Sequence, residues 1–219
     1  MRVISGSAKG RTLKSPGEAT RPITDRVKEN LFNILGSHVV DANVLDLFAG
    51  AGNVGIEALS RGARHATFVE LDREALRAIY QNLELTGLAD LAKVAKVDVF
   101  KFIRQQTRVI AKQSLISNLQ SPNSSLEIAS SPNASRLLAM TTPQYDLIYI
   151  APPQYKGLWS ETLKTLYGRG LLSEDGIVVV QIHPKEYHEL ELNEFVMYDQ
   201  RKYGSTMLCF YKKADKETR

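Results

Sequence analysis

The chain has 219 residues, with 28 Lys and Arg against 24 Asp and Glu, a formal charge of +4. With 43% hydrophobic, 24% charged and 8% aromatic residues it has the balance of an ordinary globular protein with a sizeable core, as one large domain or two small ones, and it is neither a disordered nor a fibrous chain. No apolar run approaches the roughly 20 residues that span a bilayer, and the opening Met1-Arg2-Val3-Ile4-Ser5-Gly6 lacks the apolar stretch of a signal peptide, so a soluble cytoplasmic protein is expected.

The charge is unevenly spread. Residues 1–30 hold seven basic groups (Arg2, Lys9, Arg11, Lys14, Arg21, Arg26, Lys28) and three acidic ones (Glu18, Asp25, Glu29), so the other 189 residues sum to zero. Gly6, Gly10, Pro16, Gly17 and Pro22 interleave them, which reads as a basic arm of turns and short strands over 1–22, in front of a neutral domain over 23–219. Such an arm is either a solvated terminus or a grip for a polyanion.

Ile23, Val27, Leu31, Ile34 and Leu35 recur at helical spacing, with Thr24 as N-cap, Asp25 in the first turn and Gly36 as the stop. Short apolar runs at 44–47, 66–69, 92–97, 147–150 and 177–180 then alternate with helical candidates near 53–61, 73–86, 99–111 and 158–167. That rhythm predicts an α/β fold, a parallel sheet with helices on both faces. Trp159 and Tyr167 are expected to pack within the last of these helices. Residues 113–142, rich in Ser, Asn, Gln and Pro, break the rhythm and read as a disordered insertion or a lid. The last two runs, about 195–202 and 206–212, have only Tyr203-Gly204-Ser205 between them, too short for a crossover, so they form an antiparallel hairpin. The single cysteine, Cys209, excludes an intrachain disulfide and is expected to be buried, while His38, His65, His183 and His188 have no metal-ligand spacing and read as surface or turn residues.

The stretch from Asp46 to Gly55, Asp-Leu-Phe-Ala-Gly-Ala-Gly-Asn-Val-Gly, follows the first strand and opens a helix. Gly50, Gly52 and Gly55 satisfy G-x-G-x-x-G, and Glu70 lies twenty residues past Gly50, where a carboxylate accepts ribose hydroxyl hydrogens. The spacing alone permits a nicotinamide oxidoreductase. Three features lean instead towards S-adenosylmethionine. Asp46, just before the turn, would repel a pyrophosphate but attract the amino group of a cationic cofactor. Asp98, after the third strand, can accept from an adenine amine or cap a helix, which puts three carboxylates around one crevice. The closing hairpin is foreign to a standard dinucleotide-binding sheet.

The run Asp46 to Ala63 resembles the first motif of class I methyltransferases, in the form seen in bacterial 16S ribosomal RNA guanine-N2 methyltransferases of the RsmD type. The segment Arg21-Pro22-Ile23-Thr24-Asp25-Arg26-Val27-Lys28-Glu29-Asn30-Leu31-Phe32-Asn33 is similar to that family's R-P-T-[TS]-D-[RK]-V-[RK]-E-x-[LV]-F-[ND], Lys202 to Thr206 to its K-x-Y-G-x-T hairpin, and Arg2 to Gly6 with Lys9-Gly10-Arg11 to its opening. The resemblance covers nearly the whole chain outside 113–142.

It implies a Rossmann-like sheet of seven strands with the last antiparallel. It also implies S-adenosylmethionine held by Thr24, Asp46, Phe48, Ala49, Gly50, Gly52, Glu70, Leu71, Asp98 and Val99, with RNA contacted by Arg2, Lys9, Arg11, Lys14, Arg21 and Arg26. The partner would be 16S ribosomal RNA or a small-subunit assembly particle, with no metal, no membrane and a monomeric enzyme. The family's catalytic turn is [D/N]-P-P-[F/Y], and here Ala151-Pro152-Pro153-Gln154-Tyr155 stands in its place. A guanine amine is a weak nucleophile that needs acceptors for its hydrogens and a stacking face for its ring, and Ala151 and Gln154 lack the usual groups. Two readings follow. Either the Pro152 carbonyl, the Gln154 amide oxygen and Tyr155 supply those roles, or the chain binds cofactor and RNA as an assembly factor and transfers methyl weakly or not at all.

Overall fold

A computed structural model describes residues 1–17, 23–106, 144–192 and 194–214. The insertion at 113–142 and Arg21 lie outside them. The elements run α1 (Asp25–Leu35), β1 (Asn43–Leu47), α2 (Asn53–Ser60), β2 (His65–Glu70), α3 (Arg73–Thr86), β3 (Ala92–Lys96), α4 (99–106), β4 (Tyr145–Ile150), α5 (Leu158–Leu166), β5 (Leu172–Ile182), β6 (Phe195–Tyr203) and β7 (Thr206–Lys213). The seven strands form one sheet in the order β3-β2-β1-β4-β5-β7-β6. The first five are parallel, and β7 lies antiparallel to both β5 and β6. This is the class I methyltransferase sheet. A dinucleotide-binding sheet continues in parallel after its fifth strand, so the inserted antiparallel β7 separates the two folds.

The apolar runs become central strands because both faces of the sheet are covered. On β4, Leu147 and Tyr149 enter one core while Tyr145, Ile148 and Ile150 enter the other. On β7, Leu208 and Phe210 face the first, and Met207, Cys209 and Tyr211 the second. Cys209 is therefore the buried residue expected. α1 begins after Thr24, whose hydroxyl accepts from the Val27 N–H, and ends at Gly36, which takes a φ of 51°. Trp159 is fully buried, whereas Tyr167, expected in the core, lies past the last turn of α5 and is 49% exposed.

The first seventeen residues do not stand away from the domain. Val3, Ala8 and Leu13 are buried in the same core as α1 and α2. Glu57 on α2 accepts from the Ile4 and Ser5 N–H groups at 2.8 and 3.0 Å, and the Ser60 hydroxyl accepts from Ala8 N–H at 2.9 Å. Asn82 on α3 brackets Lys14, accepting from its N–H and donating to its carbonyl. Gly6 passes so close to α2 that a Cβ there would lie 1.6 Å from the Ser60 carbonyl oxygen. Two of the seven basic groups in residues 1–30 are engaged in this docking. Lys28 is wholly buried, donating to the Arg2 carbonyl and to Asn53 Oδ1 and pairing with Glu57. Arg2 pairs with Asp25 on the surface. Lys9, Arg11, Lys14 and Arg26 remain exposed.

Candidate active site

Parallel strands of an open α/β sheet leave a crevice beyond their carboxyl ends where the strand order reverses, here between β1 and β4. A cavity of about 510 Å³ opens at that edge, lined by residues following four strands: Phe48 after β1, Val69 to Arg73 at the end of β2, Val97 to Val99 after β3, and Pro153 after β4. The glycine loop and the Pro-Pro turn, about a hundred residues apart in the chain, thus meet at one cavity.

The loop after β1 depends on left-handed backbone. Gly50 and Gly52 have φ of 55° and 76°, and Phe48, a bulky residue, has φ of 60°. Such a conformation is costly for a side chain like phenylalanine and characteristic of ligand-binding turns. Gly55 is needed for packing, because a Cβ there would lie 2.3 Å from the Phe68 ring.

The three carboxylates take different positions. Glu70 lines the cavity and organises the loop. Its Oε2 accepts from Gly50 N–H at 2.8 Å, and its Oε1 accepts from Leu71 and Asp72 N–H at 2.7 and 2.9 Å. Three of a carboxylate's roughly four acceptor positions are thereby engaged. Asp98 also lines the cavity and caps α4, with Oδ1 accepting from Lys101 N–H at 2.9 Å. Asp46 differs from the expectation. Its side chain is buried beneath the loop, absent from the cavity wall, and its Oδ2 accepts from Gly55 N–H at 3.0 Å. Burial, against the pull of that hydrogen bond and with the Glu70 charge adding to it, pushes its carboxyl up to about 8, so at neutral pH it is mainly an uncharged acid. Of the three carboxylates named from sequence, Glu70 and Asp98 line the crevice and Asp46 does not, while Asp72, whose Oδ1 accepts from Ala75 N–H as the cap of α3, lines it as well.

Of the other residues expected to hold a cofactor, Phe48, Leu71 and Val99 line the cavity and Ala49, Gly50, Gly52 and Thr24 do not. Ala49 donates from its backbone to the Val69 carbonyl, Gly50 and Gly52 form the turn behind the wall, and Thr24 is occupied as the α1 cap. Val69, Asp72, Arg73 and Val97 were not anticipated. Val69 and Val97 adjoin Glu70 and Asp98 in sequence, and Asp72 and Arg73 open α3 just beyond β2.

At the Pro-Pro turn, Ala151 donates from its backbone to the Leu47 carbonyl and packs its methyl group on the core, so its side chain offers no acceptor. Pro153 faces the cavity. Tyr155 is 65% exposed, has φ of 61°, and donates its N–H to Glu186 Oε2 at 2.6 Å. His183 and Glu186, from the loop after β5, were given no role from sequence. Their only local signal is a capping box, His183 with Glu186 three residues on and a proline between. Among the described residues no cluster of three His, Cys, Asp or Glu side chains could hold a metal ion, and no helix is long and apolar enough to cross a membrane.

The chain is 50% identical over 99 residues to the "Putative rRNA methyltransferase YlbH" of Bacillus subtilis (strain 168), and 44% identical over 107 residues to the "Ribosomal RNA small subunit methyltransferase D" of Escherichia coli (strain K12). These matches cover 45% and 48% of the chain, and in both cases it spans only 54% of the relative's length. Among solved structures, the "Putative methyltransferase yhhF from Escherichia coli" superposes with a TM-score of 0.74 at 27% identity, covering 97% of each chain. A family model described as "Conserved hypothetical protein 95" matches residues 1–117 and 109–212, and the chain belongs to that family.

Proposed function

We propose that this protein is an S-adenosylmethionine-dependent methyltransferase that methylates N2 of a guanine in 16S ribosomal RNA, alone or within a small-subunit assembly particle, and that it works as a cytoplasmic monomer. The carrying observation is the shared cavity, with Glu70 and Asp98 on one side and Pro153 on the other. The names of the two relatives support the substrate class.

The residues present fit the cofactor. Glu70 retains acceptor capacity for ribose hydroxyls, the second Asp98 oxygen is left over from its cap for an adenine amine, and Phe48, Val97 and Val99 provide apolar wall. When bound, the cofactor supplies a methyl group on a sulfonium. The chain's contribution is positioning. The Pro152 carbonyl and the Gln154 amide oxygen are the acceptors that the turn offers to the two hydrogens of the guanine amine, and the exposed Tyr155 ring offers a stacking face. The buried, uncharged Asp46 supports the glycine loop from beneath. Lys9, Arg11, Lys14, Arg26 and, by the family segment, Arg21 serve phosphate contacts.

The test is incorporation of labelled methyl into small-subunit particles from cells lacking this protein, followed by mapping of the modified guanine. Cofactor binding without incorporation would establish the non-catalytic assembly factor, which Ala151 favours. Selective thermal stabilisation by NADH over S-adenosylhomocysteine would instead return the oxidoreductase.

A further inference from the structure

Tyr155 combines three properties that do not ordinarily coexist. It is bulky, it is 65% exposed, and its backbone is left-handed. Such a stance is held only where the surroundings over-determine it, and an exposed ring brings no core burial in return. What holds it is Glu186. One oxygen of this carboxylate accepts from Tyr155 N–H at 2.6 Å, and the other accepts from His183 N–H at 3.3 Å. The two residues joined in this way carry rings whose centroids lie 5.5 Å apart at 40°. The imidazole is itself fixed, since its Nδ1 accepts from Lys185 N–H at 3.1 Å. Beneath this loop lies the fully buried Trp159, with the His188 ring at 4.9 Å and the Tyr187 ring stacked at 6.3 Å.

We propose that Glu186 is a positioning residue, which with His183 sets the Tyr155 ring as the wall of a slot for an unstacked nucleobase beside the Pro-Pro turn. The inference rests on the reading of that turn as the base-accepting site. It extends the site from the loop after β4 to the loop after β5 and assigns each member a task. Tyr155 supplies the face, as aromatic side chains do for splayed bases. His183 supports the ring edge. Glu186 supplies the two charge-assisted bonds that fix the backbone of both.

The experiment uses the full chain with Glu186→Ala, Glu186→Gln, Tyr155→Ala and the double variant Tyr155→Ala/Glu186→Ala. Folding is monitored by thermal midpoint and S-adenosylhomocysteine affinity. One readout is exchange of the Tyr155 amide by NMR, and the other is quenching of 2-aminopurine in a single-stranded RNA oligomer. Glu186→Ala is expected to accelerate amide exchange at least about tenfold and to weaken the quenched complex several-fold. Glu186→Gln has one acceptor oxygen where the carboxylate uses two, so it should recover part of both effects, and it carries the test if the alanine variant fails to fold. Because Glu186 acts through Tyr155, the double variant should bind no more weakly than Tyr155→Ala alone. Additive losses, unchanged amide exchange in Glu186→Gln, or quenching independent of Tyr155 would overturn the proposal. A wild-type chain that quenches the probe through Tyr155 yet never methylates ribosomal RNA would remove the proposed function and leave the slot standing.

Discussion

The Lys28 ammonium lies 3.1 Å from Glu57 Oε2, and neither side chain is exposed to solvent. Arg61 closes the other side of the same carboxylate at 2.8 Å. Burial holds the Lys28 ammonium below its ordinary pKa against the opposing pull of Glu57. This cluster, with its bonds to Arg2, Ile4 and Ser5, joins the N-terminal segment to α1 and α2. Removing one member of a buried pair typically costs about 3–5 kcal/mol when the other is left unpaired, and here Glu57 keeps Arg61 and two backbone donors, which sets the expectation at the lower end. Lys28→Met, of similar volume, should therefore lower the urea-unfolding free energy by roughly 3 kcal/mol. It should also speed tryptic cleavage after Lys9 and Arg11. A loss near zero would mean that the cluster contributes nothing net.

Asp46 predicts a pH dependence whose sign is fixed by its raised carboxyl. In the unfolded chain it ionises near its ordinary 3.8, and in the folded protein near about 8. The folded state thus holds the extra proton between these values, so the contribution is complete below the lower one and is lost as pH rises through the upper. Asp46→Asn keeps an acceptor for Gly55 N–H and has no proton to lose. Thermal melts at pH 5 and pH 8.5 should show a smaller drop for the variant than for the wild type. Equal drops would place the titration elsewhere.

Lys9, Arg11 and Lys14 are exposed, whereas Lys28 is internal and Arg2 is paired. Changing the three to glutamine should weaken RNA binding at every sequence tested. The slope of log affinity against log salt should fall by about 2, given about 0.7 per phosphate contact to single-stranded RNA. Calorimetric affinity for S-adenosylhomocysteine should stay within error. Parallel losses of both affinities would mean that these side chains support the fold rather than the RNA.

Ala151 offers no side-chain acceptor at the Pro-Pro turn, where the family motif carries Asp or Asn. A hydrogen bond restored there is worth about 0.5–1.5 kcal/mol, up to roughly tenfold in rate. Ala151→Asp should raise single-turnover methyl transfer by that order at unchanged cofactor affinity. A fall in rate with intact folding would show that Gln154 and the Pro152 carbonyl already form the complete set.

Much of the fold was legible because it rests on short-range chemistry. The spacing of Val27, Leu31 and Leu35 between Thr24 and Gly36 marks α1 to the residue, as caps and periodicity act within a few positions. The hairpin followed from its short connection, since the three residues Tyr203-Gly204-Ser205 read between the runs, two of them outside the strands in the structure, cannot carry a crossover. Tyr167 was misread because it continues the apolar spacing of α5 one position past the last turn, where it is only half covered.

The sequence alone determined the strand and helix order, the carboxylates at strand ends and the departure at Ala151. Tertiary structure decided what each charge is for. It made Lys28 a buried tie between the N-terminal segment and α2, set Asp46 beneath the loop as an uncharged acid instead of at the cavity wall, and joined Glu186 to the Tyr155 backbone. Periodicity and turn chemistry are written in neighbouring residues. Desolvation and long-range pairing depend on which distant segments are brought together, and 29 residues separate Lys28 from Glu57 while 31 separate Tyr155 from Glu186.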